Sequence, residues 1–159
     1  MPTSRKLVDI IEKNADLLTK RWLERVRKHP GTPTYREYDE KELYDRAFNV
    51  YSQIGKWIAK ETTKADIARH YTALGAQRRK EGFKRSEVFL ALIITRRVLW
   101  FRVQEEGFLD TVLNLHLALE LNNQVIQFFD RAIYFAAVGY DNSGIVSPES
   151  LTLPPDSVY

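Results

Sequence analysis

Cysteine is absent from the 159 residues. Its absence excludes disulfide staples, thiolate metal sites and cysteine nucleophiles, leaves the fold to be held by its core, and fits a reducing cytoplasm. Glycine and proline are scarce, at 7 and 6 residues, so breaks in regular structure are few and can be placed. No apolar run is long enough to span a bilayer. The most apolar stretch, Val88 to Phe101, holds 14 residues and is interrupted by Arg96 and Arg97, against the roughly 20 apolar residues that a spanning helix needs. No membrane insertion is expected. The N-terminus, Pro2-Thr3-Ser4-Arg5-Lys6, has no apolar core of a secretory signal. Charge of one sign is not in large excess either. The net charge is +3, but three acids (Asp141, Glu149, Asp156) follow the last basic residue, Arg131, so residues 1–131 carry +6. That mild positive field favours acidic partners and falls short of a committed nucleic-acid binder.

What is present is helical periodicity. Leu7, Ile11, Leu18, Trp22 and Val26 recur at three- and four-residue steps and predict an amphipathic helix from Ser4 to Lys28. The run from His29 to Asp39 contains Pro30 and Pro33 and reads as a loop. Asp39 with Glu42 forms an acidic cap for a second helix, whose stripe is Leu43, Ala47, Tyr51, Ile54 and Ile58 and which stops near Glu61. A third helix runs from Thr63 or Lys64 to Glu81, with Gly82 as its left-handed stop. A fourth opens at Ser86, is apolar almost all round and ends at Gly107; a fifth is one long helix from Asp110 to about Tyr140. No Asn-Gly or Asp-Gly hairpin signal occurs. The expectation is therefore an all-α, single-domain bundle of about five helices over residues 1–140, with 141–159 as an extended tail.

Catalytic chemistry finds little support. The three histidines, His29, His70 and His116, stand apart in sequence and form no His-Glu-x-x-His pair. His29 reads as a cation at a helix end and His116 as a partly buried core histidine. The carboxylates Glu12, Asp16 and Glu24 alternate with Lys13, Lys20 and Arg25 as a solvated face. No phosphate loop or Gly-x-Ser-x-Gly elbow is present. No enzymatic activity and no cofactor are expected. The unusual feature is the run Arg78-Arg79-Lys80-Glu81-Gly82-Phe83-Lys84-Arg85. It places Arg78, Arg79, Lys84 and Arg85 at the corner of the third and fourth helices as a candidate grip for an acidic protein partner. No helix-turn-helix spacing accompanies it, so nucleic acid is not expected. Trp22 on the first helix and Phe128, Phe129, Tyr134 and Phe135 on the last present more aromatic surface than the core of one small bundle needs, and are the candidate interface of a homodimer.

The stretch Tyr71 to Trp100 joins an Arg-bearing helix end, a Gly-hydrophobic-x-x-Ser/Glu turn and an apolar helix containing Arg96-Arg97. With the opening Leu17-Leu18-x-x-Arg21-Trp22-Leu23-Glu24-Arg25-Val26 and the closing Val138-Gly139-Tyr140, it resembles the N-terminal domain of RsbR-type co-antagonists of bacterial stressosomes, over residues 5 to 140. The resemblance implies a globin-like domain without haem, dimeric, acting as a cytoplasmic sensory or regulatory input. No phosphoacceptor STAS domain follows in this sequence, so a stand-alone sensor or adaptor is the expectation. Two alternatives stay open: a sensor globin binding haem or another small ligand, with His70 or His116 as the haem's axial ligand, and an enzyme of unrecognised type.

Overall fold

A computed structural model describes residues 2–59, 62–106 and 111–143, and among these the chain is all-helical, with no strand. The helices are α1 (Pro2–Lys13), α2 (Ala15–Lys28), α3 (Pro33–Glu37), α4 (Glu40–Ser52), α5 (Ile54–Ile58), α6 (Lys64–Lys80), α7 (Arg85–Glu105) and α8 (Val112–Asp141). The stop expected at Gly107, the start expected at Asp110 and residues 144–159 of the expected tail lie outside the described residues. No helix among the described residues is long and apolar enough to cross a membrane.

Among the described residues eight helices stand where periodicity predicts about five, and each extra break has a local cause. The first expected helix divides at Asn14, whose side-chain Nδ2 donates to the Ile10 carbonyl at 2.7 Å. A side chain that competes for a helical carbonyl in this way loosens the ladder without disturbing the apolar stripe, and Leu7, Ile11, Leu18, Trp22 and Val26 all remain buried on one side. The second divides at Gln53, which leaves helical geometry at φ −124°. The break seats Gly55 against α1, where its N–H donates to Glu12 Oε1 at 3.0 Å. The proline-containing loop holds a short helix of its own, α3, because Pro33 sits at its start, where a missing N–H costs nothing. α3 buries Tyr35. It is tied to α7 by the fully buried Glu87, whose carboxylate accepts from the Thr34 N–H (2.7 Å), the Thr34 hydroxyl (2.8 Å) and the Lys84 N–H (2.9 Å).

The remaining elements follow the sequence closely. Asp39 caps α4 by accepting from the Glu42 N–H at 3.3 Å, and Thr63 with Asp66 forms a capping box on α6. α6 ends in a Schellman motif, with Gly82 at φ +92°. The Phe83 N–H reaches the Arg78 carbonyl and the Gly82 N–H that of Arg79, each at 3.1 Å. Phe83 is then buried against Tyr35 and Tyr38, with ring centroids 4.5 and 5.0 Å away. α8 is one unbroken helix of 30 residues, and its pairing with α6 is the most extensive in the molecule. Gly75 and Gly139 make that closeness possible: a Cβ on Gly75 would lie 2.0 Å from the Ala136 carbonyl oxygen, and one on Gly139 1.9 Å from that of Thr72.

Candidate functional site

The basic corner between α6 and α7 is built into the fold. Arg78 is largely buried and pairs with Glu81 at 3.2 Å. Arg79 Nη1 donates to the carbonyl oxygens of Tyr140 (2.8 Å) and Asp141 (3.4 Å), which is a cation placed on the carbonyl-rich end of α8. Arg85 pairs with Asp141, and the guanidinium groups of Arg79 and Arg85 both lie over the Tyr140 ring. Tyr140 completes the junction by donating its hydroxyl to the Phe83 carbonyl at 2.6 Å. The corner is therefore not a free cationic patch. Arg79 and Arg85 tie α6 and α7 to the end of α8, Arg78 is held by Glu81 at the end of its own helix, and Lys84 is exposed. The carbonyls and Asp141 that occupy the arginines lie about 60 residues downstream, so no local pattern announces them.

Four of the five aromatics expected at a dimer interface are likewise used inside the chain. Trp22, Phe128, Phe129 and Phe135 are buried, and only Tyr134 is exposed. Trp22 also donates its indole N–H to the Ala91 carbonyl at 3.1 Å. The histidines do not converge. His29 is the C-cap of α2 and accepts the Gly31 N–H on Nδ1 at 2.8 Å. His116 is exposed, not partly buried. His70 keeps an edge in solvent while its ring packs 4.8 Å from those of Trp57 and Tyr71. Partial desolvation, followed by the charges of Arg78 and Lys56, holds its pKa below the ordinary histidine value.

A different surface combines shape with chemistry. Between α2 and α7 lies an open groove of about 1070 Å³. Its floor comes from one face of α7, with Leu90, Ile93, Ile94, Val98 and Phe101, and its rim from Arg21, Glu24, Arg25 and Lys28 of α2 together with Arg97, Gln104 and Glu105 of α7. Phe101 is among the large apolar residues left exposed, and the Arg25 guanidinium sits 5.1 Å from its ring centroid. Two rim cations are neutralised: Arg21 by Glu105 at 2.9 Å and Lys28 by Glu24 at 3.0 Å. Arg25 and Arg97 make no ion pair among the described residues, so the rim carries a net positive charge over an apolar floor. The sequence holds the signal for this groove. Ile93, Arg97, Phe101 and Gln104 recur at helical spacing, so one face of an otherwise apolar helix alternates cation, ring and amide.

A second exposed region is apolar and nearly uncharged. Val112, Leu113, Leu115 and Leu119, on the first turns of α8, are all exposed, with Tyr134 further along the same helix. Between Val112 and Phe129 the only charged residue is Glu120. Compared with known proteins, the chain matches no family model, and no curated protein or solved structure is significantly similar to it.

Proposed function

We propose that the chain is a non-catalytic regulatory input or adaptor domain that holds an acidic amphipathic helix of a signalling partner in the groove between α2 and α7. The observation that carries this reading is the groove itself. An open channel with an apolar floor and a cationic rim suits a helix that presents apolar residues at i, i+3, i+4 and i+7 flanked by carboxylates. Exposed Phe101 beside Arg25 is the kind of aromatic and arginine pairing that dominates interface energetics. The role agrees with the resemblance to RsbR-type N-terminal domains, and the eight helices packed around one core support a globin-like arrangement.

A second copy of the chain is assigned to the exposed start of α8 rather than to the groove. The groove is cationic and repels its own copy, whereas the face around Val112, Leu115 and Leu119 is neutral and apolar and can meet its copy without charge repulsion. Sedimentation at micromolar concentration tests this half: a single 18.6 kDa species refutes it.

The groove is tested with synthetic helices, one carrying Leu anchors flanked by Glu and one with the same anchors flanked by Lys, titrated by fluorescence anisotropy. The acidic helix is expected to bind, and binding to weaken with salt as exposed charges are screened over about 8 to 10 Å. Phe101→Ala should weaken it at least about fivefold and Arg97→Glu should lower its salt dependence, while Lys41→Glu, at a residue that does not line the groove, should change neither. Equal binding of both helices, or indifference to Phe101→Ala and Arg97→Glu, overturns the reading.

A further inference from the structure

A small, partly open cavity of about 70 Å³ lies where α2, α3, α4, α6 and α7 meet. One water needs about 10–15 Å³ of such space, so there is room for one molecule of a few heavy atoms. Leu43, Val50 and Leu92 supply apolar wall, and Arg46, Arg78 and Tyr71 supply the polar groups. Tyr71 is 1% exposed, and its hydroxyl has no hydrogen-bond partner among the described residues. A buried hydroxyl without a partner is rare in a native fold and calls for a group that satisfies it.

The guanidinium groups around the cavity are also incompletely paired. The Arg78 and Arg46 side chains, 13% and 22% exposed, share one buried carboxylate, Glu81, itself 11% exposed, at 3.2 and 2.5 Å. The other acid on Arg46, Glu42 at 2.8 Å, is 50% exposed, so its charge is largely screened by solvent. Two inward guanidinium groups thus share one inward carboxylate as a direct ion-pair partner, while the other buried acid of this region, Glu87, is held by Thr34 and the Lys84 N–H instead; a cation taken out of water without a paired anion is costly. An anion in the cavity would relieve this shortfall and give the Tyr71 hydroxyl an acceptor.

We propose that the cavity binds a short-chain monocarboxylate, of about two to four carbons given the space. Its carboxylate meets Arg78 and the Tyr71 hydroxyl, and its hydrocarbon end lies against Leu43, Val50 and Leu92. An inorganic oxyanion fits less well, because the apolar wall leaves its remaining oxygens without donors. Burial, followed by the charge of Arg46, holds the Arg78 pKa below its ordinary value, and an anion beside the guanidinium opposes both effects. The cavity shares no lining residue with the α2–α7 groove, so the two sites succeed or fail separately.

The test titrates sodium propionate into the full chain and follows backbone amide chemical shifts, with sodium chloride and sodium sulfate at matched ionic strength. Saturable shifts confined to residues around Tyr71, Leu43 and Leu92, seen with propionate only, are expected. Tyr71→Phe removes only an oxygen that makes no internal bond, so the variant folds, and it should weaken propionate binding at least about tenfold, the worth of one hydrogen bond to a charged group. Arg78→Met should abolish binding, and Tyr71→Phe decides the matter where loss of the Glu81 pair prevents that variant from folding. Shifts that never saturate, saturation by chloride or sulfate as well, or propionate affinity untouched by Tyr71→Phe would each overturn the proposal.

Discussion

Replacing Gly139 by alanine adds one methyl group to a helix, which in isolation should help by about 1 kcal/mol through helix propensity. The α6–α8 crossing reverses the sign. The new Cβ would lie 1.9 Å from the Thr72 carbonyl oxygen and 2.7 Å from its carbon, whereas a carbon and a carbonyl oxygen approach no closer than about 3.3 Å without repulsion. Both opposing atoms are backbone, so no rotamer change relieves the clash, and the helices must separate by on the order of 1.5 Å over the crossing. A gap of that size forfeits up to half or more of the dispersion contacts on either side, at the most tightly joined pair in the molecule. We place the overpacking cost at about 4 kcal/mol, above the usual range of about 1–3 because backbone cannot turn away. Net of propensity, Gly139→Ala should destabilise by about 3 kcal/mol, a fall in melting temperature of about 6–12 °C for a chain of this size. Gly75→Ala, which meets the Ala136 carbonyl oxygen at 2.0 Å, should behave alike. The double variant should cost less than the two losses added together, because one separation of the helices accommodates both methyls. Calorimetric melting of the four proteins measures this. A Gly139→Ala variant as stable as the parent, or more so, shows that the helices are not held at this distance and refutes the packing argument.

Gly82→Val should lower the melting temperature by a few degrees, since a side chain at φ +92° adds about 1–2 kcal/mol of strain, while acidic-helix binding per folded molecule stays unchanged. Charge reversal at Arg79 and Arg85 should likewise act on stability, releasing the end of α8 and speeding amide exchange at residues 138–142; unchanged exchange with weakened partner binding would restore the corner as a recognition site. Glu81→Gln should cost about 2 kcal/mol near neutral pH, the order expected for hydrogen bonds to charged groups. Burial raises the Glu81 pKa, but hydrogen bonds from Arg46 and Tyr38 and the charge of Arg78 pull it below the usual carboxylate value. Its stabilisation is therefore present above about pH 4.5 and lost as pH falls through the depressed value, so melting curves of parent and variant should converge in acid. His70 binds its proton less readily folded than unfolded, so stability should fall as pH drops below 6.5, and His70→Asn should flatten that slope in a pH series of melts.

The parts of the fold legible in sequence are those written into single residues or short spacings. Asp39, Thr63, Gly82 and the period of α8 each act within one or two turns, and each does in three dimensions what its local chemistry predicts. The breaks at Asn14 and Gln53 are less visible because the apolar stripe runs through them: Leu7 to Val26 stays on one side whether the axis is straight or bent. The helix crossing was present in the sequence as a pattern shared by two distant segments. Ala68, Thr72 and Gly75 repeat the four-then-three spacing of Ala132, Ala136 and Gly139, and small residues at matched spacing are what permit two backbones to touch. Neither segment reveals this alone, since an isolated glycine in a helix reads only as a weak point.

The functional surfaces are harder to read for a reason rooted in charge. A cationic run is equally consistent with a free patch and with a set of internal clamps, and what separates the two is where the counter-groups come from. For Arg79 and Arg85 they are the last carbonyls of α8 and Asp141, groups that every helix end or exposed turn possesses and that sequence does not single out. Arg97 shows the opposite situation. It looks like an interruption in an apolar helix, and its charge makes no ion pair among the described residues because the acids of the same groove, Glu24 and Glu105, are taken by Lys28 and Arg21. The dense basic run at the corner is largely engaged within the chain, while the sparse cations beside exposed Phe101 have charge left to offer. Recognition sites in such a helical bundle are better sought where a cation lacks an internal partner next to an exposed ring than where cations are most numerous.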